Sequence, residues 1–227
     1  MAGRLVFRQL FESKSCTYTY IVGCARTRQA LIIDPIPFKT IRQLDLNLLY
    51  ALNTHVHADH ITGTHGLRKL FPSMKSVLST ASGGKADLFV AHHDSISVGD
   101  KSLQVRSTPG HTNGCVTYVL DADHMAFTGD ALLFRGCGRT DFQEGDASRL
   151  YESCWSEILS LPDHFLLYMG HDYQGHTVTS VQEEKKYNTR LTRTREQFIL
   201  LMNNLNLPRP AQIDSAVPLN LRDGEES

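Results

Sequence analysis

Short apolar, β-branched runs recur along most of the chain, at residues 5–11, 18–22, 30–33, 48–52, 76–79, 103–105, 115–120, 125–127 and 165–168. Gly, Pro, Asp or Asn bounds most of them, which is the punctuation of β-strands. Helical spacing is rarer. It predicts a helix over 64–70, after a glycine-containing entry. The clearest spans 146–161, where Leu150, Trp155, Ile158, Leu159 and Leu161 share one side. Two more cover 181–187 and 194–205, the latter with Phe198, Leu201, Met202 and Leu205 at helical spacing. Strands come early and helices gather late, and no repeat, low-complexity tract or Pro-rich linker divides the chain. The pattern predicts one α+β domain over residues 1–227, with sheets inside and helices outside. Its polar, acidic tail, 221–227, is expected to fray.

Composition narrows the classes without choosing one. A chain of 227 residues buries a sizeable core, and 41% hydrophobic with 21% charged residues is ordinary for a globular protein. A formal net charge of −1 offers no global basic field for nucleic acid or anionic membrane. No apolar run approaches the roughly 20 residues that span a bilayer. The N-terminal segment reads as a strand almost at once, with neither a secretory h-region nor room for an Arg-rich transit peptide. A trimmed presequence would look the same, so compartment stays open. The five cysteines, Cys16, Cys24, Cys115, Cys137 and Cys154, form no CxxC pair. Neither a disulfide framework nor a thiolate zinc site follows, and each is read as a small buried hydrophobe. Cys137 alone has a functional setting, in the turn Arg135-Gly136-Cys137-Gly138-Arg139.

The chemistry concentrates after the run 48–52, in Thr54-His55-Val56-His57-Ala58-Asp59-His60. In extended chain, residues two apart share a face, so His55 and His57 converge as the strand ends. The following turn aims Asp59 and His60 at a neighbouring point. Three single residues complete the set: His111 in Pro109-Gly110-His111, Asp130 in Thr128-Gly129-Asp130, and His171 in Met169-Gly170-His171. Each follows a strand beside a glycine, where the backbone can turn and present a side chain to a common rim. His65, His92, His93, His124, His164 and His176 lack that setting and are read as solvated or core side chains. Histidine and carboxylate without thiolate suit zinc, iron or manganese. All seven residues together make a dinuclear hydrolytic site with Asp130 as bridge. His55, His111 and Asp130 alone make the two-histidine, one-carboxylate face of non-haem Fe(II) oxygenases. Ligand type does not choose between them.

HxHxDH followed by strand-terminal GH, GD and GH resembles the metallo-β-lactamase superfamily, whose fold is an αββα sandwich. Within it, Asn53–His60, Phe127-Thr128-Gly129-Asp130-Ala131, and Arg135-Gly136-Cys137-Gly138-Arg139-Thr140-Asp141-Phe142-Gln143 resemble the persulfide dioxygenases. So do His171-Asp172-Tyr173, Asn188-Thr189-Arg190-Leu191-Thr192 and Asn203-Asn204-Leu205-Asn206-Leu207-Pro208. The likeness runs from about residue 5 to 221, and GCGRTDFQ is its most specific part. The related hydroxyacylglutathione hydrolases share HxHxDH. They also share a GCGR-like turn, but usually carry aromatic residues where this chain has Thr140-Asp141-Phe142, and Glu-Tyr where Asp172-Tyr173 follows His171.

The resemblance implies one Fe(II) per subunit, bound through His55, His111 and Asp130. His57, Asp59, His60 and His171 then orient ligands and tune the site. It implies oxidation of glutathione persulfide by O2 to sulfite, with no catalytic protein nucleophile, and Tyr173 and Arg190 as contacts of the glutathione part. Nucleic acid and membrane are not expected partners. Members of the family imply a mitochondrial matrix location and often a homodimer; a cytoplasmic chain is the alternative. A dinuclear thioester hydrolase and a non-catalytic metal-binding protein are the competing functions. The chain departs from the family at a short 36–47 segment, at Met169-Gly170, expected to loosen that strand end, and at Asp223, where some members carry cysteine.

Overall fold

The computed structural model describes residues 3–36 and 44–225. Among these described residues, twelve strands form two six-stranded sheets. The first sheet runs in chain order: β1 (Leu5–Glu12), β2 (Thr17–Cys24), β3 (Gln29–Ile33), β4 (Asn47–Leu52), β5 (Lys75–Ser79) and β6 (Leu88–Val90). Pairing is antiparallel from β1 to β3 and parallel from β3 to β6. The second sheet comprises β7 (Ser95–Val98), β8 (Lys101–Ser107), β9 (Val116–Leu120), β10 (Met125–Gly129), β11 (Leu166–Met169) and β12 (Thr179–Ser180). Only β10 and β11 are parallel in it.

Alternation along the strands builds the layers. Tyr20 and Val22 of β2, with Leu31 and Ile33 of β3, point inward against Val105, Tyr118, Leu120 and Phe127 of the second sheet. Ile21, Ile32, Leu48 and Ala51 point outward, and α1 (Thr64–Leu70) covers them through Leu67. On the far side, Val119, Ala126 and Leu167 pack beneath α2 (Ala147–Ser153) and α4 (Arg195–Asn203), through Leu150, Phe198 and Met202. Helix, sheet, sheet and helix stack in that order, which is the αββα sandwich. Between them, α3 (Val181–Tyr187) follows β12, and α5 (Ile213–Asn220) ends the chain's regular structure.

Several expectations need correction. The helix over 146–161 is not continuous. Asp146 caps Arg149 N–H at 2.8 Å, and after Ser153 the chain widens into a π-type turn over Cys154–Ile158. Its apolar side is nonetheless buried as expected. Three short strands, β6, β7 and β12, and the helix α5, which contains Pro218, were not expected; β7 alternates, but over only four residues. The tail expected to fray from residue 221 is hydrogen-bonded over its first residues. Lys85 N–H donates to Leu221 O, Gly224 N–H to Leu219 O, and Arg68 pairs with Asp223, which holds the chain to Glu225. Nor is the strand end at Gly170 loose: its N–H donates to Gly129 O and its carbonyl accepts from Tyr18, at 2.9 and 2.8 Å. Most of the short 36–47 segment lies outside the described residues.

Candidate metal centre

The ends of β4, β10 and β11 meet where the two sheets are stitched together. Val116 N–H donates to Thr54 O, Tyr118 OH to Asn53 O, and Tyr20 OH to Met169 O. These ties cross from one sheet to the other, so residues following β4 are held against residues following β10 and β11. Gly129 ends β10 at φ +52, and a Cβ there would lie 2.4 Å from Thr54 Oγ1. Only glycine lets Asp130 turn in beside His55.

All seven residues singled out in the sequence gather here. Ligand atoms of His55, His111 and Asp130 lie within 4.8 Å of one another, and so do those of His57, Asp59 and His171. The His60 ring is 4.4 Å from that of His57. Hydrogen bonds set which ring nitrogen each imidazole turns inward. His111 donates from Nδ1 to the Arg139 carbonyl at 2.7 Å, leaving the Nε2 lone pair free. His55 Nδ1 donates to Thr54 Oγ1 at 3.0 Å, with the same result. His171 Nδ1 meets Thr17 Oγ1 at 3.2 Å, and its Nε2 lies 3.5 Å from Asp59 and 3.6 Å from Asp130.

Two supporting residues carried no signal in the sequence reading. Asp34, buried after β3, accepts Thr54 N–H at 2.7 Å and His57 Nε2–H at 3.0 Å on Oδ1, and Thr54 Oγ1–H at 2.8 Å on Oδ2. One carboxylate thereby orients His57 directly and His55 through Thr54. Asn220, at the end of α5, donates to the carbonyls of His57 and His60 and accepts Thr62 N–H, at 2.8, 2.8 and 2.9 Å. It fastens the turn that carries four of the seven residues.

The electrostatics are those of a cation site. Burial, then the neighbouring His57 and His111, drive the His55 pKa well below its ordinary value. His60 is lowered mainly by burial as well. Burial opposes a charge on His171, yet Asp130 and Asp59 overcome it and raise its pKa to about 10. Asp59 is buried against its charge, but His171 and His60 hold it well below the usual carboxylate range. Among the described residues four buried side-chain atoms find no hydrogen-bond partner: Trp155 Nε1, and in this cluster His57 Nδ1, His60 Nε2 and Asp130 Oδ1. Buried polar groups are otherwise almost always satisfied. Three such atoms in one cluster fit a metal ion, which supplies the missing partner.

A cavity of about 570 Å3 opens on Asp59, His111, Asp130 and His171, and Tyr173 and Arg190 line it. The Tyr173 ring stacks near-parallel to His171 at 6.3 Å and is largely exposed. Arg190 donates from Nη1 to Cys137 O at 2.8 Å. Arg139 supports the loop by gripping Asp141 and the Pro208 carbonyl. Cys137 is buried against Met202, and burial pushes its thiol up to about 11, the setting of a packing group.

The metallo-beta-lactamase superfamily model matches residues 73–171. The mitochondrial persulfide dioxygenase ETHE1 of Mus musculus is 54% identical over 98% of this chain and 90% of its own length. A probable hydroxyacylglutathione hydrolase of Schizosaccharomyces pombe is more distant, at 33% identity over 69% of this chain and 64% of its own. Among solved structures, ETHE1 from Myxococcus xanthus superposes with a TM-score of 0.93 at 48% identity, covering 97% of this chain and 100% of that one. With the same sandwich and more than half its residues shared with a relative that it covers to 90%, the chain belongs to the persulfide dioxygenase family of the metallo-β-lactamase superfamily.

Proposed function

We propose that the chain oxidises glutathione persulfide with O2 and water to sulfite and glutathione, at a single ferrous ion held by His55, His111 and Asp130. When bound, the iron would supply a redox-active centre for oxidation of the persulfide sulfur by O2, a task for which redox-inert zinc is unsuited. The observation that carries this assignment is the unpaired, buried Asp130 Oδ1 beside two imidazoles whose Nδ1 protons are already committed. Together these offer one oxygen and two nitrogen lone pairs to one point.

The protein's own residues pre-organise that point. Asp34 and Thr54 fix His55, the Arg139 carbonyl fixes His111, and Thr17 fixes His171. Such outer partners typically govern metal affinity by 10- to 100-fold, on the order given for comparable sites. His57, Asp59, His60 and His171 orient and tune, and Tyr173 and Arg190 hold the tripeptide part in the cavity. Arginine suits a carboxylate, and Tyr offers an apolar face with a polar tip. The mitochondrial matrix and a homodimeric state are proposed with the activity, the former from the names of the mammalian relatives.

Oxygen consumption tests the assignment. Fe(II)-loaded protein should take up O2 only when glutathione persulfide is supplied and should release sulfite, and Asp130→Ala should abolish both. A dinuclear thioester hydrolase is the second candidate, because His57, Asp59 and His171 also converge. Cleavage of S-lactoylglutathione without persulfide-dependent O2 uptake would establish it instead.

A further inference from the structure

The cavity over the metal-facing residues also has an acid–base balance at its rim. Its lining includes three cationic side chains: Lys14 from the turn between β1 and β2, Arg139, and Arg190 from the loop after α3. Arg139 is neutralised by Asp141, with both carboxylate oxygens at 2.7 Å. Arg190 spends Nη1 on the Cys137 carbonyl and pairs with no carboxylate among the described residues. Lys14 makes no ion pair or side-chain hydrogen bond among the described residues. Its near neighbour Glu12 is already engaged, by the N–H groups of Lys14 and Ser15 and by Ser15 Oγ, at 3.0, 2.8 and 2.8 Å.

Most lysines outside a core are simply solvated, so position must separate this one from the rest. The turn that carries Lys14 is part of the site's wall. Three residues on, Thr17 contacts both His171 and Asp59. The acids in the cavity, Asp59 and Asp130, belong to the metal-facing cluster, where Asp59 bonds His60 and both face His171 Nε2. The rest of the lining near the chain's C-terminal half is largely apolar or uncharged, with Leu207, Pro208, Pro210 and Gln212. Two uncompensated cations therefore border a cavity whose own carboxylates face its histidines and not the rim. An anion that enters finds its counter-charges ready.

We infer that Lys14 is a specificity-determining residue, whose ammonium takes a carboxylate of the persulfide carrier while Arg190 serves a second one. The inference rests on the proposed activity. A carrier with carboxylates at two ends of a short peptide matches two separated cations, whereas a small aminothiol persulfide matches neither. Lys14 acts on binding and selectivity, and its charge reaches the reacting sulfur only through the position of the carrier. An ammonium near the surface contributes modestly, so an effect of about five-fold is expected.

Two measurements on the Fe(II)-loaded, full-length protein decide it. In the first, kcat/KM is measured for glutathione persulfide and for cysteamine persulfide, which has no carboxylate. The ratio of the two should fall about five-fold in Lys14→Gln and return in Lys14→Arg. In the second, titration calorimetry follows glutathione itself binding to the wild type and to Lys14→Gln. Kd should rise by a similar factor, and the difference should shrink as salt is raised. An unchanged ratio together with an unchanged Kd overturns the inference. A weakened Kd in a protein that consumes no O2 with either persulfide would sustain Lys14 as a carboxylate contact and refute the dioxygenase assignment.

Discussion

Replacing Asp34 by Asn keeps the shape of the side chain and removes its charge, at a residue that touches no ligand directly. Asp34 Oδ1 accepts from Thr54 N–H and His57 Nε2–H, and Oδ2 accepts from Thr54 Oγ1–H. An amide has two ways to fit. With its NH2 toward Thr54 N and His57 Nε2, donors confront donors, and each buried polar group so stranded costs about 1–3 kcal/mol. With its NH2 toward Thr54 Oγ1, the hydroxyl must accept there and point its own proton at His55 Nδ1. The His55 proton then moves to Nε2, the nitrogen that faces the cluster, and a lone pair is replaced by an N–H. Loss of charge-assisted bonds in either arrangement should lower stability by about 2–4 kcal/mol, a fall in Tm of roughly 4–16 °C for a chain of this size. Metal affinity should drop by about 10- to 100-fold. Thermal unfolding of metal-free protein reads the first effect, and anaerobic competition with a chelator reads the second. Nitrogen-detected NMR of the imidazoles reports the His55 tautomer. An Asp34→Asn protein with the wild-type Tm, the wild-type metal affinity and an unprotonated His55 Nε2 would refute the reasoning.

Other perturbations follow from the same geometry. Asn220→Ala removes three hydrogen bonds from the His57–Thr62 turn and should cost about 1–3 kcal/mol, read by urea unfolding of metal-free protein; Asn220→Asp should fail to restore the loss, because its carboxylate has no N–H to donate to the two carbonyls. Gly138→Ala places a Cβ 2.4 Å from Asp130 O and 2.8 Å from His111 Nδ1, so it should release metal while far-ultraviolet circular dichroism stays native. In metal-free protein, His171 is raised to about 10 by Asp130 and Asp59 against the opposition of burial. Its contribution is therefore full below the ordinary histidine pKa of about 6.5 and lost as pH climbs toward 10. The unfolding free energy should fall over that window in the wild type and remain flatter in His171→Gln. An equally steep fall in both would disprove the His171 contribution.

The site was legible because its chemistry is written locally. His55 to His60 are contiguous, and His111, Asp130 and His171 each follow a glycine after an apolar run. Strand ends beside glycine are where a sandwich can expose side chains, so type and setting agreed. Asp34 follows an apolar run as well, in Ile32-Ile33-Asp34-Pro35, but without a glycine it looked like one acid among many. Its φ of +48 is a conformation that Asp tolerates better than most residues, and that strain has no sequence marker. Asn220 had no local signal at all. Its role depends on contact with a turn some 160 residues earlier, which only the fold creates. The layers were legible from period-two alternation in the long strands. The short edge strands β6 and β12 were not, having three and two residues and few buried positions. The π-type turn after α2 keeps the apolar side of a helix, so hydrophobic spacing could not reveal it.

Of the seven convergent residues, three, His55, His111 and Asp130, are proposed to hold a single metal ion. The most direct test is the metal-to-chain ratio of protein expressed with iron and handled anaerobically, measured for the wild type, His55→Ala and Asp59→Ala. One iron per chain is expected in the wild type, near zero in His55→Ala, and a value close to one in Asp59→Ala. A wild-type ratio of two, falling to one when Asp59 is removed, would contradict the account and establish a dinuclear centre.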